Sequence, residues 1–301
     1  MPSPFHRDLR RIAPFLPRGA FGPRTYRVVR RFEQLAPRRS SSNVEIASVG
    51  SVSVRLHHPP PSAAARTPGL LWIHGGGYVI GRAAQDDALC RVVAVRLGIL
   101  VAAVDYRKAP EHPFPAPLDD CYDALTWLAA RPDVDEHRIA IGGASAGGGL
   151  AAALALLARD RNAVQPALQL LSYPMLDDRT VLRRDLDERY VRLWNNKANR
   201  FGWESYLGGR PGSTNVPALA AAAREENLAG LPPAWIGVGT LDLFYDEDLA
   251  YAARLRAAGA DCDVEVVNGA FHGFDSVTPR AAVTRQYRAA QLDALAARLH
   301  C

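Results

Sequence analysis

Residues 138–158 constrain the fold more than any other stretch of this chain. An apolar run, "RIAIGGA" at 138–144, passes through Ser145 into an alanine-rich helix former, "GGGLAAALALLA". A buried strand that turns at once into a helix is the building unit of a parallel α/β sheet. Every close neighbour of Ser145 in "GGASAGGG" at 142–149 is glycine or alanine. A sharp strand-to-helix turn needs this, because it brings two backbones too close for larger side chains.

The same alternation runs through the chain. Two early runs, 43–49 and 52–58, flank Gly50 and Ser51 and read as an antiparallel hairpin. Short apolar strands follow at 70–74, 99–106, 138–144 and 168–174, with helical patterns near 85–97, 117–130 and 146–160 between them. Strands at 234–240 and 263–269 resume the pattern, with helices near 246–258 and 279–298. The expected fold is one mostly parallel, doubly wound eight-stranded α/β sheet flanked by helices. Residues 177–225 interrupt the rhythm with a charged, aromatic, helical-looking insertion. Three parts are therefore expected: an N-terminal cap segment at 1–40, a catalytic domain at 41–176 and 226–301, and a cap insertion at 177–225. In open α/β sheets ligands bind at the strand ends, which the two cap parts would cover.

Charge and cysteine content exclude several classes. Residues 1–40 hold ten arginines against Asp8 and Glu33, so +8 of the net +5 lies there and the remainder is −3. These arginines alternate with Pro14, Phe15, Pro17, Phe21, Pro23 and Tyr26, a mixture read as packed short helices and not as a nucleic-acid-binding arm. No apolar run approaches eighteen residues and the first residues lack a signal-like apolar core, so no membrane insertion and a cytoplasmic location are expected. Cys90, Cys121, Cys262 and Cys301 have no C-x-x-C spacing, which argues against a zinc site or a disulfide framework.

Gly143-Ala144-Ser145-Ala146-Gly147 is a G-x-S-x-G pentapeptide, the nucleophile elbow that lifts a serine over the sheet. Such a serine needs a base, a carboxylate to orient it and donors for the oxyanion, in the chain order serine, acid, histidine. The loop "HGGGYVIG" at 74–81 offers Gly76 and Gly77 as donors, with Gly75 the nearest alternative, and the Ala146 N–H opens the next helix. His74 ends its strand and is read as a loop anchor. Asp242 is the first acidic residue after the seventh strand; Asp246 and Glu247 are read as charges capping the helix that follows. His272, in "NGAFHGFD" after the last strand, completes the order.

Taken together, "HGGGYVIG", "DYRKAPEHPFPAPLDD", "GGASAGGGLA", "LPPAWIGVGTLDLFYDED" and "GAFHGFD" resemble the hormone-sensitive-lipase-like family of α/β-hydrolases, bacterial esterases related to arylacetamide deacetylases. The resemblance implies Ser145 as nucleophile, Asp242 as acid, His272 as base, and Gly76, Gly77 and Ala146 as oxyanion hole. It implies hydrolysis of short to medium acyl esters, a small-molecule ester as partner, and no metal or cofactor. Asp105, Arg107 and Glu111 are expected to form buried pairs beneath the site. Trp194, Phe201, Trp203 and Tyr206 are expected to wall it, with Phe244 and Tyr245. Two departures stand out: Ala144, where many members carry Asp or Thr, and Lys108, where leucine is usual. Amide cleavage by the same triad is an alternative reading. A non-catalytic receptor on the same fold is another, although such receptors have lost the histidine that is present here. The last strand, near 263–268, offers an edge for pairing two copies into a homodimer.

Overall fold

The computed structural model describes residues 3–19, 21–35, 44–61 and 65–301. The expected cap boundary at residue 40 and the first residue of the expected hairpin, Asn43, lie outside the described residues. In chain order the elements are α1 (Tyr26–Leu35), β1 (Val44–Val49), β2 (Val52–His57), β3 (Thr67–Ile73), α2 (Asp87–Leu97), β4 (Leu100–Asp105), α3 (Ala116–Ala129) and β5 (Val134–Ala144). They continue with α4 (Ala146–Arg161), β6 (Leu168–Ser172), α5 (Asn196–Leu207), β7 (Ala234–Gly239), α6 (Tyr245–Ala257), β8 (Cys262–Val267), α7 (Phe274–Val277) and α8 (Ala282–Leu299). The eight strands form one sheet in the order β1-β2-β4-β3-β5-β6-β7-β8. Strand β2 runs antiparallel to β1 and β4, and the remaining pairs are parallel.

Continuous apolar strands are explained by burial on both faces. In β3 and β4, Leu71, Ile73, Leu100, Ala102 and Val104 face one core, which α3, α4 and α6 cover. Leu70, Trp72, Val101 and Ala103 face the other, which α2 and α8 cover. Successive strand residues point to opposite faces, so each run must be apolar throughout.

Two expectations are corrected in detail. The final helix, expected near 279–298, starts three residues later, at Ala282, and runs to Leu299. Pro279, which has no N–H to donate, falls between α7 and α8. The insertion carries less helix than its composition suggests, with α5 at its centre and 3₁₀ turns at Asp178–Leu182 and Ala222–Arg224. Its charges explain the difference. Arg179 pairs with Asp177, Arg183 with Asp185 and Arg189 with Asp187, each at 2.7 Å. Residues two apart do not face each other on a helix, so these pairs favour turns.

Glu247 is not a capping charge, and α6 has no side-chain cap. It lies buried and accepts the Leu176 and Asp177 N–H groups at 2.8 and 3.1 Å and the Thr180 hydroxyl, fixing the turn that leaves β6. Burial pushes its carboxyl from an ordinary 4.5 up to about 8. A group whose folded pKa is raised stabilises the fold most fully below its unfolded value, and that contribution is lost as pH rises through the folded one. Glu247→Gln keeps the acceptor and supplies an N–H to Thr180. The variant is therefore expected to flatten the fall in urea midpoint between pH 5 and pH 9; parallel curves for variant and wild type would contradict this assignment.

Candidate active site

The expected site residues come from the ends of adjacent strands. Ile73 of β3 stands beside Gly143 of β5, so the glycine loop and the serine turn leave the sheet together. Gly239 of β7 stands beside Val267 of β8, and Asp242 and His272 follow those two strands.

Ser145 adopts φ 58° and ψ −122°, a region L residues rarely enter. Its neighbours hold it there. The Ser145 N–H donates to the Ser172 carbonyl at 2.9 Å, and the Ser145 carbonyl accepts from the Gly149 and Met175 N–H groups at 3.0 Å each. The flanking glycines are required by contact. A Cβ on Gly143 would lie 2.4 Å from the Gly147 carbonyl oxygen, and one on Gly147 would lie 2.1 Å from that of Ile73.

His272 links the other two groups. Its Nδ1 is 2.9 Å from Asp242 Oδ2 and its Nε2 is 2.9 Å from Ser145 Oγ. An ionised carboxylate has no proton to give, so Nδ1 carries the hydrogen and Nε2 is left to accept from the serine hydroxyl. Asp242 is itself fixed, because its Oδ1 accepts the Phe244 N–H at 3.0 Å. All three residues are buried. Phe244 and Tyr173 pack edge-on against the imidazole, with ring centres 5.2 and 4.8 Å away.

Gly76 and Gly77 line the same cavity as Ser145 and His272, and Ala146 is the first residue of α4. Gly76 has φ 128°, and a Cβ there would lie 2.1 Å from the Ile80 carbonyl oxygen. Gly77 has φ 58°, and its Cβ would lie 2.0 Å from the Trp194 ring. Gly76→Ala must therefore displace the loop backbone. If Gly76 is an oxyanion donor as expected, the loss should be about 10²- to 10³-fold in kcat, the size of one lost donor, with KM changed far less; an unimpaired kcat would contradict that expectation.

The loop is anchored from below. His74 is buried, its ring stacked on Tyr106 at 4.3 Å and its Nδ1 2.7 Å from the Gly75 carbonyl. Asp105, Arg107 and Glu111 do not pair with one another. Asp105 faces His74 and takes the Lys108 ammonium at 3.2 Å, Arg107 binds Asp120 at 2.7 Å, and Glu111 binds Arg30 of α1 at 2.6 Å. Burial alone would raise the Asp105 carboxyl, but His74 and Lys108 outweigh it and hold it below the usual carboxylate range. Lys108 thus belongs to the network that braces the glycine loop.

The cavity over Ser145 holds about 370 Å³. Of the expected aromatic wall, Trp194 lines it, whereas Trp203 and Tyr206 pack in the core around Tyr78 and Phe201 packs on Tyr26. Phe21, Val29 and Glu33 from the N-terminal arm and Leu193 from the insertion also line it, with Tyr173 and Asp86. Among the described residues no group of three or more His, Cys, Asp or Glu side chains is arranged to hold a metal ion.

A family model for the α/β-hydrolase fold matches residues 70–276, spanning the glycine loop, the elbow, the acid and the histidine. This chain belongs to that family. Esterase LipI of Mycobacterium tuberculosis is 37% identical over 232 residues, covering 75% of this chain and 71% of its own. An ethyl acetate hydrolase of Pseudomonas putida is 35% identical over 236 residues, covering 74% and 71%. Among solved structures, a bacterial heroin esterase superposes with a TM-score of 0.87 at 36% identity over 98% of both chains. Within the α/β-hydrolases the chain falls in the hormone-sensitive-lipase-like group, and it is a carboxylesterase. No helix among the described residues is long and apolar enough to cross a membrane.

Proposed function

We propose that this esterase cleaves short- to medium-chain carboxylic esters by two-step acyl transfer on Ser145. The observation that carries the proposal is the pair of 2.9 Å contacts running from Asp242 through His272 to Ser145 Oγ on the cavity wall. His272 Nε2 takes the serine proton as Oγ bonds to the ester carbonyl carbon, while Asp242 steadies the imidazolium. The resulting oxyanion is held by the N–H groups of Gly76, Gly77 and Ala146. Collapse expels the alkoxide, which leaves as alcohol with the proton from His272 Nε2. Water then attacks the acyl-enzyme by the same proton route, releasing the acid and restoring Ser145.

The size of the cavity supports the chain-length reading, since about 370 Å³ falls at the small end of ligand sites, which run from roughly 300 to 1,000 Å³. Residues 1–40 and 177–225 act together as the cap in this proposal. Contacts between them support it: Arg192 Nε donates to the Ala13 carbonyl at 2.6 Å and the Leu193 N–H to that of Pro17 at 2.8 Å. The terminal strand β8 is proposed as a dimer edge, so a monomeric mass in solution would refute that pairing.

The test is hydrolysis of p-nitrophenyl esters from acetate to palmitate. Turnover of short and medium chains that fades toward palmitate is expected. A preference for palmitate would overturn the substrate range, and anilide turnover exceeding that of matched esters would favour amide cleavage.

A further inference from the structure

The charges lining the substrate cavity are of one sign. Glu33 and Asp86 are its acidic lining residues, and among the described residues neither Arg nor Lys lines it. Each carboxylate is held in place by a neutral donor. Glu33 Oε1 accepts the Gly81 N–H at 2.9 Å, and Asp86 Oδ2 accepts the Trp72 indole N–H at 2.8 Å. Neither has an ion-pair partner among the described residues, although fifteen arginine or lysine ion pairs occur elsewhere in them. Nearby arginines are engaged otherwise: Arg82 donates to the Glu33 main-chain carbonyl, and Arg30 binds Glu111.

The remaining wall includes aromatic residues. Phe21, Tyr173 and Trp194 line the same space, and aromatic rings attract ammonium groups. A second cavity of about 200 Å³ shares Gln85, Asp86, Ala144, Tyr173 and Ser276 with the first. The arginine there, Arg288, lies 3.8 Å from Asp275 and so is balanced by its own carboxylate. Asp86 thus stands between the two cavities without an ion-pair partner of its own among the described residues.

We propose that Asp86, assisted by Glu33, selects esters carrying a cationic nitrogen, binding the ammonium group within reach of Ser145. This rests on the proposed acyl transfer at Ser145 and names the substrate class for it. A bound cation supplies the countercharge that the cavity lacks, and a carboxylate-bearing substrate is repelled by the same groups. Burial pushes the Asp86 carboxyl up to about 6. The titratable or charged groups around it are His74 from the end of β3, Cys90 on α2, Tyr173 after β6, Asp275 on α7 and Arg288 on α8, with His272 on the shared cavity.

The test compares esters of equal shape and different charge. Acetylcholine is paired with 3,3-dimethylbutyl acetate, and ethyl 4-(trimethylammonio)butanoate with ethyl 5,5-dimethylhexanoate. In at least one pair the cationic ester is expected to show about tenfold higher kcat/KM, equivalent to about 1.4 kcal/mol. The ratio should rise with pH between 5 and 7 as Asp86 loses its proton, because any change in catalysis common to both esters cancels in the ratio. Asp86→Asn should bring the ratio close to one, and Glu33→Gln should lower it in part. Should the Asp86 variant fail to fold, wild type alone decides: choline must compete better than 3,3-dimethylbutan-1-ol as an inhibitor of neutral ester hydrolysis. Ratios at or below one in both pairs, or a ratio unmoved by Asp86→Asn, would overturn the proposal. Neutral ester hydrolysis that survives Ser145→Ala would instead overturn the acyl-transfer reading, so the two failures are distinct.

Discussion

Ser145→Ala is expected to lower kcat for p-nitrophenyl butyrate by about 10⁶-fold, the loss typical of a triad deprived of its nucleophile. Removing Oγ removes the atom that attacks, and His272 Nε2 then has no hydroxyl 2.9 Å away to deprotonate. His272→Ala should cost a similar factor, and the double variant should lose little more than either single one, because the two side chains act as one unit. Alanine at 145 keeps the small volume that the turn demands, so folding should be unimpaired and circular dichroism should match wild type. Additive losses in the double variant would mean that the two residues serve different steps.

Asp242→Asn is expected to cost about 10⁴-fold in kcat near neutral pH. The reason is geometric. Oδ1 of residue 242 accepts the Phe244 N–H at 3.0 Å, and an asparagine will keep that bond with its carbonyl oxygen. Its NH₂ group then faces His272 Nδ1, where the carboxylate oxygen had been. A donor at that place forces the proton of the imidazole onto Nε2, and such a ring cannot accept the Ser145 proton. Measuring kcat against pH should reveal partial recovery in alkali, where general-base help matters less. A loss below tenfold would mean that Asp242 only fills space.

The parts of the proposed chemistry leave local patterns in the sequence. The elbow needs glycine on both sides of Ser145, for a reason visible as the 2.1 Å approach of a Gly147 Cβ to Ile73. The hairpin, the order of strands and helices, and the positions of Asp242 and His272 after β7 and β8 follow from apolar runs and their punctuation. Side-chain partners across the chain were not readable. Arg107 meets Asp120, Glu111 meets Arg30, and Glu247 braces the turn at Leu176, none of which any spacing encodes. The cavity wall was missed for a similar reason. Phe21, Tyr173 and Asp86 come from three separate segments and meet only when the sheet is assembled, whereas Trp203 and Tyr206 are drawn into the core by stacking around Tyr78.

Covalent labelling tests the central claim most directly. A fluorophosphonate, which bonds to an activated serine oxygen, is incubated with the wild-type enzyme, and residual esterase activity is followed beside peptide mass. The expected result is one adduct per chain, on the peptide containing Ser145, with activity falling in proportion to labelling and no adduct in His272→Ala on the same timescale. Full labelling of Ser145 with esterase activity retained, or loss of activity with the adduct on another residue, would contradict the account.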